Sequence, residues 1–184
     1  CKRYKGNQAH AEYLEQMSGK FFDLLQKYHG LGERERLLLR LAAILHDCGK
    51  FISMSAPGEC AYQIIMSTEI LGISHMEREM VASIVRYNTM ELPNFREFDG
   101  KLGNDEYLIV MKLAAILRVC NALDRSHRQK FADMKLTIKD SNIVITTAYP
   151  DNITLEKKTL QDKQDFFEEV YGLGFEIKQK KKKQ

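Results

Sequence analysis

Proline is scarce, at three residues in 184, and glycine stops at 11, which leaves no room for a collagen-like or disordered chain. No apolar run approaches the roughly 18 residues that span a bilayer, so no membrane-spanning helix is expected. Cysteine stands only at positions 1, 48, 60 and 120, and no pair has the Cys-x-x-Cys spacing of a zinc or redox site. Cys48 and Cys120 fall inside apolar helical patterns, where a free thiol acts as a small hydrophobe. That usage points to a reducing, cytoplasmic compartment. A charged-then-apolar leader is missing and the first residue is Cys1, so we read the chain as an excised piece of a longer protein.

What is present is an ordinary globular composition, 44% hydrophobic and 29% charged, in a length that buries one good core. Lys and Arg number 28 against 25 Asp and Glu, a net charge of +3. Five of those lysines (Lys178 and Lys180–Lys183) lie in the last seven residues, and without them the body carries −2. The basic balance therefore belongs to the tail, which reads as a solvated terminus. A nucleic-acid domain would spread positive charge over a folded face, so nucleic acid is not the expected partner.

Apolar spacing of three and four predicts helices over 7–29, 33–48, 59–71 and from Ser74, where Glu77 completes a capping box. Leu92–Gly103 reads as a loop. The helix from Asn104 to about Ser126 is apolar over most of its circumference and should be the centre of a bundle. Then the period changes to two. Lys135–Lys139 and Ile143–Thr147 alternate around an Asp140-Ser141-Asn142 turn, a β-hairpin. Residues 155–171 return to helical spacing, and Phe175-Glu176-Ile177 could add a third strand. The expected fold is mainly α: a helical bundle over 1–130 and a small α+β appendage over 131–184, together one compact unit.

The chemistry-bearing pair is His46-Asp47, at the end of an apolar helix and just before Gly49. Imidazole plus carboxylate suits Mn, Fe, Zn or Mg, and both side chains reach one ion only near a helix end. By itself the dipeptide is common. In context, Leu41–Lys50 resembles the signature of the HD superfamily. That resemblance implies a metal site taking His10 from the first helix, the His46-Asp47 pair, and the residue at the position of Asn121.

The resemblance narrows further. Lys2-Arg3-Tyr4 with His10-Ala11, Phe21–Leu25, Tyr62–Ile65, Leu71–Ser74, Glu77–Glu79, Arg86-Tyr87 and Leu123–His127 are together similar to the C-terminal domain of the exopolyphosphatase/guanosine pentaphosphate phosphohydrolase (Ppx/GppA) family. Their order and spacing cover nearly the whole chain. This implies a parent enzyme whose N-terminal actin-like (ASKHA) domains use Mg²⁺ to hydrolyse polyphosphate or guanosine pentaphosphate. The C-terminal HD-like region would bind polyphosphate and form a homodimer. No Gly-rich phosphate loop occurs here.

Departures from the family pattern shape the expectation. Pro57–Cys60 stands where relatives often carry a His-rich stretch, and Arg86-Tyr87-Asn88 where they carry Arg-Tyr-His. Asn121 replaces the last metal Asp, removing a charge and leaving a weak neutral oxygen. The set His10, His46, Asp47 and Asn121 is thus read as a remnant, with no cofactor expected in this region. Phosphate ligands are sought instead among Arg86, Arg118, Arg125, Arg128, Lys50 and His127, which fall near helix ends, because guanidinium forks suit phosphate oxygens. Three functions compete. The first is a regulatory, polyphosphate-binding and dimerising domain, inactive alone. The second is a metal-dependent HD-type nucleotide phosphohydrolase. The third is a helical module that binds RNA or protein through its basic tail.

Overall fold

Among the described residues, six α-helices build the first part of the chain: α1 (Gln8–Leu24), α2 (Gln26–His29), α3 (Glu33–Leu45), α4 (Pro57–Met66), α5 (His75–Arg86) and α6 (Asn104–Leu123). A single 3₁₀ turn at Cys48–Phe51 joins α3 to the loop before α4. The appendage runs β1 (Lys135–Lys139), β2 (Asn142–Thr147), α7 (Thr154–Gln161), α8 (Gln164–Tyr171) and β3 (Gly174–Gln179). The computed structural model describes residues 7–98 and 102–180. Lys2-Arg3-Tyr4, Cys1, Gly100 and Lys181–Lys183 lie outside the described residues. Mainly helical with a small α+β part, the fold class is the one that periodicity implied.

Helix α6 is central because nearly every face of it is apolar. Val110, Leu113–Leu117, Val119, Cys120 and Leu123 are fully buried, and α1, α3, α5, α7 and α8 all touch this helix. Each such Leu or Ile contributes about 1.5–3 kcal/mol by leaving water. The same core continues into the appendage through Phe131, Ile143, Ile145, Phe167 and Leu173. Phe175 of β3 packs on Phe167 at 4.8 Å and reaches Phe21 of α1 at 6.4 Å.

Ser74 and Glu77 form the reciprocal cap that the sequence implied: Ser74 N donates to Glu77 Oε2 at 2.7 Å, and Glu77 N donates to Ser74 Oγ at 3.2 Å. The hairpin turn is tighter than expected. Asp140 and Ser141 both have left-handed φ, 49° and 59°, and Asn142 already pairs with Lys139. Two residues at positive φ match the right-handed strand twist.

Four expected helices differ. The first breaks at Leu25, whose N–H is shared by the carbonyls of Phe21 and Phe22, and resumes as α2. The second, expected over 33–48, stops at Leu45, and Cys48 opens a separate 3₁₀ turn. The third starts earlier, with Pro57 in the first turn where its fixed φ is favourable, and stops at Met66. Thr68 Oγ1 bonds back to Ile64 O at 2.7 Å, and Leu71, 89% exposed, finds no core to hold a further turn. The last divides at Asp162-Lys163 into α7 and α8, which makes it the crossover carrying β3 into a parallel pairing with β2.

Candidate functional site

Four separate segments converge at one end of the bundle. Helix α1 supplies His10, the end of α3 supplies His46 and Asp47, the 3₁₀ turn supplies Lys50, and the segment after α6 supplies Asp124 and His127. Donor atoms of His10, His46 and Asp47 all lie within 4.8 Å of one another. Gly49 makes the convergence feasible. A Cβ there would stand 1.9 Å from Pro57 O and 2.5 Å from Ala61 N, so the turn after Asp47 packs backbone to backbone on α4. Its role is close approach, where the sequence suggested a helix stop.

Both buried imidazoles are held in one tautomer. His10 Nδ1–H donates to Asp124 Oδ2 at 2.7 Å, and His46 Nδ1–H donates to the carbonyl of Ala43 at 2.7 Å. The Nε2 of each ring is buried and without a hydrogen-bond partner. His46 Nε2 lies 3.2 Å from Asp47 Oδ1, out of line for a hydrogen bond. Burial pushes the His46 imidazole down to about 4, against the opposing pull of Asp47. For Asp47, burial acts upward but is outweighed by His46 and Lys50, which hold it below the usual carboxylate range. Lys50 Nζ sits 2.7 Å from Asp47 Oδ1.

His127 closes the top. It is exposed, holds a left-handed φ of 53°, and stacks on His10 with centroids 3.8 Å apart. Asn7 caps α1 by accepting from His10 N at 3.2 Å, and its amide donates to His127 Nδ1 at 3.3 Å. Burial and the neighbouring His10 lower the His127 pKa.

Of the expected site residues, the structure brings together His10, His46, Asp47, Lys50 and His127. Asn121 stands three residues before Asp124 on α6, half-buried, and its side chain makes no hydrogen bond among the described residues. Arg125 and Arg128 are exposed in the turn that carries His127. Arg86 and Arg118 belong elsewhere. Arg86 Nε donates to Glu59 Oε1 at 2.6 Å, with its guanidinium 5.3 Å from the rings of Tyr62 and Tyr87. Arg118 donates to the carbonyls of Tyr87 and Met90 and lies 4.3 Å over the Phe166 ring. It lines a cleft of 780 Å³ together with Glu91, Glu97, Asp162, Asp165 and Glu169, an acidic surrounding.

Two participants were not singled out as site residues from the sequence. Asp124 was noted only within the Leu123–His127 stretch, and Asn7 carried a signal in its cap position three residues before His10. Asn88 is buried with both amide atoms unpartnered.

Two buried imidazole nitrogens beside a carboxylate that a lysine holds are donor types that suit a divalent ion or a polar ligand. The family model described as Ppx/GppA phosphatase, domain III, matches residues 1–165, and the chain belongs to that family. No curated protein matches the chain.

Proposed function

We propose that this chain is the regulatory, phosphate-binding domain of an exopolyphosphatase-like phosphoanhydride hydrolase, and that it does not hydrolyse phosphoanhydrides by itself. Hydrolysis belongs to the actin-like domains of the parent, with which this domain works as a homodimer in the cytoplasm. One observation carries the reading: Lys50, paired with Asp47, and His127, stacked on His10, flank the cluster that holds the unpartnered nitrogens of His10 and His46, and the turn that carries His127 also bears the exposed Arg125 and Arg128. The cations Lys50, Arg125 and Arg128 beside this polar cluster suit the terminal or internal phosphates of polyphosphate or guanosine pentaphosphate. Arg86, paired with Glu59, and Arg118, bonded to the carbonyls of Tyr87 and Met90, make their contacts elsewhere and form no part of the reading.

Polyphosphate titrations at several salt concentrations test the reading. Affinity for a polyanion comes largely from counterion release, so each lost contact lowers the log–log salt slope by roughly one unit. Replacing Lys50, Arg125 and Arg128 with Gln should weaken binding more than removing residues 181–184, a truncation that leaves β3 whole. Binding abolished by the truncation and untouched by the replacements would favour the basic-tail module instead.

The bare nitrogens favour a second reading, an HD-type metal-dependent phosphohydrolase. His10, His46 and Asp47 fit a borderline divalent ion. Such an ion, when bound, supplies Lewis-acid polarisation of a phosphoryl oxygen. Asp124 fixes the His10 tautomer, Ala43 O fixes that of His46, and the His10–His127 stack covers the recess. Phosphate release by the chain alone, abolished in His46→Ala, would establish this reading over the first.

A further inference from the structure

We propose that Lys50 is a tethered counter-cation for Asp47: a divalent metal and a phosphate-type oxyanion enter the cluster together, because the oxyanion draws Lys50 off the carboxylate that the metal needs. The proposal rests on the metal reading of the cluster and concerns how that site is regulated.

Asp47 Oδ1 faces two neighbours, His46 Nε2 at 3.2 Å and Lys50 Nζ at 2.7 Å. The Asp47 oxygen beside His46 Nε2 is therefore the one an ammonium already holds. An ion bound there would share one carboxylate oxygen with a like charge, which is unfavourable in a half-buried setting. Either the metal stays weak or the lysine leaves.

Lys50 is built to leave. Its backbone is fixed: Lys50 N donates to Asp47 O at 3.1 Å, and Gly49 beside it packs directly on α4. Its side chain is not fixed, being 38% exposed and joined to Asp47 through a single contact. An ammonium on a four-carbon stem swings where a bidentate guanidinium would be held. His127, exposed above His10, marks the solvent side from which an anion arrives.

Charge makes the coupling reciprocal. Formal charges of Asp47, Asp124 and Lys50 sum to −1 with neutral imidazoles. A divalent ion turns that to +1, and an anion paired with Lys50 restores balance. A ligand that favours the lysine-out state must then raise the affinity of the other by the same factor.

Cobalt(II), followed by its visible absorption, is a suitable probe in chelator-stripped protein, with free Co²⁺ buffered so that phosphate does not deplete it. Inorganic phosphate should tighten Co²⁺ by about 5-fold or more, the range of measured couplings. Lys50→Met should tighten Co²⁺ without phosphate by a similar factor and abolish the phosphate effect. Lys50→Gln is a second variant should Met disturb folding, checked by circular dichroism. Equal Co²⁺ affinity in wild type and both variants, or a phosphate effect that survives them, overturns the proposal. Absence of Co²⁺ binding in every variant, His46→Ala included, instead removes the metal reading, and the proposal with it.

Discussion

His46 shows how a buried side chain sets a pH response. An unfolded histidine takes up its proton near 6.5, whereas burial delays protonation of His46 in the folded state to about 4. Between those values the unfolded chain binds the extra proton, so stability falls as pH drops through that window and is fully present above it. His29 acts in the same direction. Its Nε2–H donates to Phe22 O at 2.9 Å and its Nδ1 accepts from Leu31 N at 2.9 Å, and burial lowers its pKa. A helix C-terminus favours a cation, but the ring is buried and both nitrogens serve the backbone as a neutral imidazole. Urea midpoints measured in chelator from pH 7 to pH 4 should show a loss of roughly 3 kcal/mol from His46 alone. His46→Gln should remove that share of the slope. At this scale His10, His46 and Asp47 were legible, because an HD-like signature names them. The Asp124 partner was not, since its bond to His10 joins residues 114 positions apart and no local pattern encodes it.

Helices were legible wherever an apolar stripe continued, and illegible at their ends, where single backbone or side-chain contacts decide. The Leu25 break, the Thr68 back-bond and the division at Asp162-Lys163 leave no trace in hydrophobic spacing. Gly49 is the clearest case. It reads as a stop signal, yet the conformational freedom of glycine is not what the position uses; it uses the missing side chain. Gly30, by contrast, has φ of 65° with nothing within 4 Å of a notional Cβ. The two should respond differently to alanine. Gly30→Ala should cost about 1–2 kcal/mol, the strain of a left-handed non-glycine residue. Gly49→Ala must displace α4 and should cost more, about 3 kcal/mol, at the upper end for overpacked sites. It should also loosen the His46–Asp47 cluster. Thermal melts rank the two variants, and Co²⁺ absorption reports the cluster. Equal losses at both positions would show that the contact with Pro57 O is relieved cheaply.

For the whole molecule, the question is what holds the appendage on the bundle. The hairpin and the late helical spacing were visible in sequence, but the parallel pairing of β3 was not, because strand direction depends on where the intervening helices dock. Apolar contacts through Phe131, Ile143 and Phe167 do most of the joining, and one charged pair lies beneath them. Lys130 Nζ reaches Glu156 Oε2 at 2.9 Å and the carbonyl of Asn152 at 2.9 Å, while Ser126 Oγ donates to Glu156 Oε1 at 2.5 Å. Glu156 is wholly buried, and its pairing with Ser126 and Lys130 outweighs burial to keep its pKa below normal. Removing one partner from such a pair strands a charge in the interior and typically costs 3–5 kcal/mol, whereas an apolar replacement of both is close to neutral. Lys130→Met should therefore destabilise by about 3–5 kcal/mol, and Lys130→Met with Glu156→Leu should recover most of that loss in denaturant titrations. If the double replacement is as unstable as the single one, the pair contributes more than mutual neutralisation. In that event the bonds to Ser126 and Asn152, which only the charged groups make, are what fasten the appendage.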